Sequence, residues 1–219
     1  MTLLVLLRHG ESAWNAENRF AGWTDVALSE RGRQQARQAG ALLAARGFLP
    51  DVVHTSVQSR AIVTADLALG ACGRPWVAVR RSWRLNSNHY GALQGQSKAE
   101  VRAAVGEGQF MAWRRGFHVR PPRGEPDDDP RYAALPPRAR PRGESLYDVT
   151  RRLLPYWHDV IIPDLYWYGC VLVVSHGNTL RALVKHLEGV GDDASAALTV
   201  PNAVPVVYQF AAGQASRLM

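Results

Sequence analysis

The sequence predicts an α/β fold, a mostly parallel sheet flanked by helices on both faces. Three observations point there. Leu3–Leu7 is a run of five aliphatic residues between polar neighbours, the pattern of a strand covered on both faces. Gly169–Ser175 is a second apolar run of the same kind. Around them, short strand-like runs alternate with stretches of helical periodicity, the order that builds strand–helix–strand layers.

The elements follow in order. The first strand stops at Arg8-His9-Gly10-Glu11. Trp14–Trp23 reads as a loop with one helical turn, forming a wall beside the strand end. Ser29 opens a helix to about Arg46, packed through Ala36, Ala39, Gly40 and Leu43 and ended by Gly47 and Pro50. Asp51–Ser56 is a short strand, and a helix from about Val57 to Leu69 carries Arg60 in its first turn. Trp76–Val79 is another strand, and Trp83–Gly95 is loop. Ser97-Lys98-Ala99-Glu100 is a capping box that starts a helix, and a further short helix carries Trp113-Arg114-Arg115. Residues 120–143 are crowded with Pro, Gly, Asp and Arg and form no regular element. They predict a Pro/Arg-rich lid insertion over about 116–143. A helix from Glu144 to about Ile162 turns Leu146, Val149, Leu153 and Trp157 inward, with a kink at Pro155. The strand to Ser175 leads into a helix from Asn178 to about Glu188, with Leu180, Leu183, Val184 and Leu187 inward. Val204–Phe210 closes the sheet. Residues 1–219 read as a single domain.

At 219 residues the chain can bury a sizeable core, and its hydrophobic share of 47% is that of a globular protein. No stretch approaches the ~18 uninterrupted apolar residues of a membrane span. The first residues lack a basic region and a cleavage site, so the expected location is the cytoplasm. Cys72 and Cys170 have no metal-ligand spacing and are expected to stay reduced; no metal is expected. The formal net charge is +7, and every basic residue except Lys98 and Lys185 is arginine. There is no basic run interleaved with aromatics, no zinc-finger spacing and no helix-turn-helix signature. The expected partner is therefore a small anionic molecule, not nucleic acid and not a membrane.

Both apolar strands end at the same dipeptide, His9-Gly10 and His176-Gly177. In open α/β sheets, ligands bind at the carboxyl ends of strands. An imidazole there can attack phosphorus, an adjacent guanidinium such as Arg8 can grip phosphate oxygens as a fork, and glycine lets backbone amides come close. A paired-histidine phosphate site is the leading expectation.

Several motifs carry a resemblance. They are Leu6-Leu7-Arg8-His9-Gly10-Glu11-Ser12, Asn18–Trp23, Leu28-Ser29-Glu30-Arg31-Gly32, Thr55-Ser56-Val57 with Arg60-Ala61, His89–Gly95, Trp113-Arg114-Arg115-Gly116, and Ser175-His176-Gly177-Asn178 with Leu180–Leu183. Together they resemble the 2,3-bisphosphoglycerate-dependent phosphoglycerate mutases of the histidine phosphatase superfamily, from Leu3 to Phe210. Arg-His-Gly alone marks the superfamily; His-Tyr-Gly-Ala-Leu-Gln-Gly with Trp-Arg-Arg-Gly marks the mutase branch. The resemblance implies a phosphoglycerate mutase-like fold and a cytoplasmic, glycolytic isomerase working through phosphohistidine. His9 would be the nucleophile, with Arg8, Arg60 and His176 around the transferring group. Ser12, Asn15, Ala21, Gly22, Ser87, Asn88, His89, Tyr90, Lys98, Arg114, Arg115, Gly177 and Asn178 would bind substrate. 2,3-Bisphosphoglycerate would be the phosphoryl primer, and family members often form homo-oligomers. Phosphatase branches often carry an acid directly after the second histidine, where this chain has Gly177.

One departure stands out. The family reads Leu-Asn-Glu-Arg-His-Tyr-Gly where this chain reads Leu85-Asn86-Ser87-Asn88-His89-Tyr90-Gly91. The missing glutamate is the family's general acid/base, a contribution of roughly 10²–10⁴ in rate. Ala21 also stands where Ser or Thr is usual. His89, Glu11 and Asp127-Asp128-Asp129 are the candidate replacements. Two alternatives follow: a paralogue lacking the acid/base and acting on a different phosphorylated or phosphonylated small molecule in a specialised pathway, or a non-catalytic anion-binding protein.

Overall fold

The computed structural model describes residues 2–126 and 128–219. Its sheet contains β1 (Thr2–Arg8), β2 (Val52–Thr55), β3 (Ala78–Arg81), β4 (Cys170–Ser175), β5 (Val206–Ala211) and β6 (Gln214–Arg217). They lie in the order β3-β2-β4-β1-β5-β6. The first four of that order run parallel; β5 is antiparallel to β1, and β6 to β5. The helices are α1 (Ala13–Ala16), α2 (Glu30–Ala45), α3 (Ser59–Ala71), α4 (Lys98–Arg115), α5 (Leu146–Tyr156), α6 (Ile162–Trp167) and α7 (Gly177–Leu187).

Successive side chains of a strand point to opposite faces, so the aliphatic run of β1 feeds two cores. Leu4 and Leu6 join Val171 and Val173 of β4 against α5, α6 and α7. Val5 and Leu7 join Leu172 and Val174 against α2 and α3. The small residues of α2 serve its approach to α3: a Cβ on Gly40 would sit 2.2 Å from the Ala68 carbonyl oxygen.

The register of β1 on β4 positions the site. Leu3 pairs with Cys170 and Arg8 with Ser175, so both strands end side by side. The chain leaves β1 toward α2 on one face and β4 toward α7 on the other. Such a divergence opens a crevice at the strand ends.

Four local expectations change. β3 begins at Ala78, not Trp76, because the Val77 N–H still closes a turn onto the Arg74 carbonyl. The two helices expected around residues 97–115 are one element, α4, interrupted at Gly106 (φ 78°). The kink expected at Pro155 becomes a π-helical turn over Trp157–Ile161 that joins α5 to α6. Pro155 and Pro163 lack N–H donors, and a wider turn accommodates the missing bonds. Strand β6 was not foreseen. Its hairpin turns at Ala212 and Gly213, both at positive φ, without the Asn or Asp that usually signals such a turn.

The described residues of 116–143 are mostly irregular, with single 3₁₀ turns at Pro130–Tyr132 and Pro137–Ala139. They brace the loop that carries residues 86–92. The Ala92 N–H donates to the Pro122 carbonyl at 2.9 Å. Tyr132 is buried against Trp23, with ring centroids 4.5 Å apart, and its hydroxyl accepts from Asn86 Nδ2 at 3.0 Å.

The same loop is held from beneath by a buried ion pair. Arg152 Nε donates to Glu144 Oε1 at 2.7 Å, and its Nη atoms donate to the carbonyls of Arg84, Asn86 and Ser87. Glu144 Oε2 in turn accepts the His89 N–H. Arg152→Met leaves that carboxylate buried without its partner. The expected loss is about 3–5 kcal/mol of stability, measured from urea unfolding midpoints.

Candidate active site

The end of β1, the turn after β4 and Arg60 at the start of α3 floor a cavity of about 120 Å³. His9 and His176 meet there, with ring centroids 5.0 Å apart and ring planes at 59°. Both are almost wholly buried. The His9 N–H donates to the Ser175 carbonyl, continuing the strand ladder by one residue, and Asn202 Nδ2 donates to the His9 carbonyl at 2.7 Å. The Gly10 N–H donates to Thr64 Oγ1. A side chain on Gly10 would not fit, since its Cβ would lie 2.2 Å from the Gly32 carbonyl oxygen.

His9 Nδ1 lies 2.6 Å from the Gly10 carbonyl oxygen. A carbonyl only accepts, so Nδ1 carries the proton and Nε2 keeps its lone pair. Burial, then the Arg60 and Arg8 charges, hold the His9 imidazole well below the ordinary histidine range. The ring is therefore neutral and nucleophilic near pH 7. His176 is likewise pushed well down by burial, then by Arg60 and His9. Its Nε2 lies 2.8 Å from Ser56 Oγ, which already accepts the Gln58 N–H. With the Ser56 hydroxyl donating to Nε2, the His176 proton sits on Nδ1, a buried atom without a hydrogen-bond partner.

The cavity wall holds Arg8, Arg19, Arg60, Lys98, Arg114, Arg115 and Arg181. Among the described residues no aspartate or glutamate lines it. Several of the arginines are fixed by backbone carbonyls. Arg60 donates to Gly22 and Thr24, Arg8 to Val200, and Arg115 to Ala196 and Leu198. Burial pushes Arg60 down to about 10. Arg8 Nε and Arg181 Nε and Nη1 are buried without a protein acceptor. Such an array is complementary to a small polyanion. No group of three or more His, Cys, Asp or Glu residues is placed to hold a metal ion among the described residues.

Lys98 is pushed down to about 8 by burial, then by Arg114 and Arg8. Its ammonium is complete well below that pH and is lost as the pH rises through it. Anion affinity should accordingly fall above pH 8, by up to about tenfold per pH unit. Calorimetric titration with inorganic phosphate between pH 8 and 9.5 checks this, and Lys98→Met should remove the falling limb.

The comparisons with known proteins agree with this geometry. The model of the histidine phosphatase superfamily (branch 1) matches residues 4–218. The chain belongs to the histidine phosphatase superfamily. It is 56% identical over 215 residues to a 2,3-bisphosphoglycerate-dependent phosphoglycerate mutase of Thermobifida fusca, covering 95% of this chain and 87% of that protein. A mutase of the same name from Streptomyces avermitilis is 55% identical, covering 94% of this chain and 84% of that one. Among solved structures, a mycobacterial glucosyl-3-phosphoglycerate phosphatase complexed with VO3 superposes with a TM-score of 0.78 at 28% identity, covering 99% of this chain and 97% of that one.

Within this superfamily member, most of the residues expected at the site come together. Asn15, Ala21, Gly22, Ser87, Asn88, Tyr90, Gly177 and Asn178 line the cavity with His9, His176 and the cations. Asn178 Nδ2 donates to Asn88 Oδ1 at 2.6 Å and to the Tyr90 hydroxyl at 3.1 Å. Ser12 and His89 do not line it. Ser12 is buried beneath and caps α1 through the Asn15 N–H. His89 Nδ1 accepts the Gly91 N–H, and its ring faces a separate groove beside Trp23.

The candidate proton carriers are also elsewhere. Glu11 accepts from Ser29 Oγ and lies near Arg31. Asp128 and Asp129 border the groove beside Trp23, and Asp127 lies outside the described residues. None of the described residues 116–143 lines the cavity. Arg19 lies within the stretch expected to form a wall, though it was not named as a site residue; sequence reading missed Arg181 and the stretch Leu198–Val200. Arg181 stood within a quoted motif, but nothing in its helical position distinguished it from a solvated charge.

Proposed function

We propose that this protein interconverts 2- and 3-phosphoglycerate in the cytoplasm through a phosphohistidine at His9, primed by 2,3-bisphosphoglycerate. The observation that carries the reading is the neutral His9 imidazole, with Nε2 free, facing a second histidine across a cavity lined by cations. His9 Nε2 attacks phosphorus. Arg8, Arg60 and the His176 Nδ1–H stabilise the charge on the equatorial oxygens, so transfer rests on positioning and electrostatics. Lys98, Arg114 and Arg115 hold the remaining anionic groups, and Asn15, Tyr90 and Asn178 orient the substrate. The unpaired donors Arg8 Nε and His176 Nδ1 fit a doubly phosphorylated primer, whose part is to supply the first phosphoryl group. Incubation with labelled 2,3-bisphosphoglycerate tests this: an acid-labile label on His9, with phosphorus NMR showing exchange of 2- and 3-phosphoglycerate, is the expected result.

A second reading rests on the carboxylate-free wall at Ser87 and Asn88. In it, His9 is phosphorylated but the acceptor is a different phosphorylated or phosphonylated small molecule whose oxygen is already ionised, so no protein base is required. Under that reading the label on His9 forms and phosphoglycerate exchange does not.

A further inference from the structure

We propose that Arg181 reads a second anionic group of the ligand, other than the phosphoryl group transferred to His9. The inference rests on the cavity being the phosphoryl-transfer site. Arg181 lies in α7, is 2% exposed and lines the cavity. Its Nε and Nη1 are buried without a hydrogen-bond partner. Two other arginines of the wall keep at least part of their donors on backbone carbonyls: Arg8 Nη1 donates to Val200, and Arg60 donates to Gly22 and Thr24. Arg181 has no such carbonyl and no ion pair among the described residues.

A guanidinium that only packs would donate to backbone oxygens, because a buried charge with idle donors is strongly unfavourable. Its idle donors therefore mark the place of a ligand oxyanion. Arg181 stands one turn into α7 beyond Gly177, the residue that follows His176, so it is set back about 6 Å along the helix axis from the start of the helix at the paired histidines. A planar fork there suits a compact carboxylate or a second phosphate. The ligand class is thus a phosphate ester carrying a further oxyanion, and Arg181 selects it over a monoanionic ester.

Two donors test this. 2,3-Bisphosphoglycerate carries further anionic groups, and p-nitrophenyl phosphate carries none. Labelling of His9 at subsaturating donor is measured for the natural protein, Arg181→Met and Arg181→Lys, with thermal melts confirming folding. Arg181→Met should slow labelling by 2,3-bisphosphoglycerate about 10–100-fold and leave that by p-nitrophenyl phosphate within about twofold. Arg181→Lys should recover part of the loss, since charge returns without the fork. Equal loss with both donors, or no loss with either, overturns the assignment. If the natural protein takes no label from any donor, the phosphohistidine reading fails on its own account. Calorimetry of 3-phosphoglycerate against inorganic phosphate then decides on Arg181: a loss confined to 3-phosphoglycerate supports it, and any other pattern overturns it.

Discussion

His9→Gln is expected to abolish turnover, by a factor on the order of 10⁵ or more, while leaving ligand binding nearly intact. The amide of glutamine cannot take up a phosphoryl group, so no acid-labile phosphate should form. Because burial and the neighbouring arginines keep His9 neutral, the substitution changes no charge in the cluster. Arg8, Arg60 and Arg115 keep the carbonyls that hold them, so calorimetry with 3-phosphoglycerate should show an affinity within about threefold of the natural protein. A variant that retained turnover would remove the nucleophile from the mechanism. One that lost affinity as well as turnover would give His9 a binding role instead.

Ser87→Glu is expected to raise phosphoglycerate exchange by roughly 10²–10⁴. The backbone there is held from three sides. The Ser87 carbonyl accepts from Trp23 Nε1 at 2.7 Å and from Arg152 Nη2 at 2.8 Å, and its N–H donates to Gln58 Oε1 at 2.9 Å. A longer side chain at this position would therefore enter the cavity without moving the loop. The cations of the wall would keep the new carboxylate ionised, ready to take the substrate hydroxyl proton. An enolase-coupled assay measures the effect. If the natural protein exchanges no phosphoglycerate and only the variant does, the second reading of the function gains. If the natural protein is already fast and the variant is slower, the substrate's own phosphate carries the proton.

The strand ends were legible because two constraints coincide in them. Strands buried on both faces require unbroken aliphatic runs, and a run that stops at His-Gly leaves little freedom for where the imidazole goes. His9 and His176 could be read that way. What escaped was set by tertiary contact. Arg181 looks like an ordinary helical charge until α7 is packed with that face toward the cavity. Leu198–Val200 contributes through carbonyls that hold Arg8 and Arg115, and carbonyls leave no trace in residue type. Ser12 and His89 stand next to cavity residues in the chain yet turn into the protein, where they cap a helix and a loop. The Pro- and Arg-rich stretch has the composition of a mobile cover, but Tyr132 and Pro122 fasten it to the loop beneath.

The pairing of β1 with β4 also has a bearing on biosynthesis. The nucleophile is made almost first and its partner imidazole more than three-quarters of the way along the chain. A nascent polypeptide released before Ser175 would present His9 on an exposed edge, without the strand that shields it and without His176. Such long-range closure is slow relative to helix formation. Chemical competence therefore arrives late and all at once, and truncated products cannot capture phosphate.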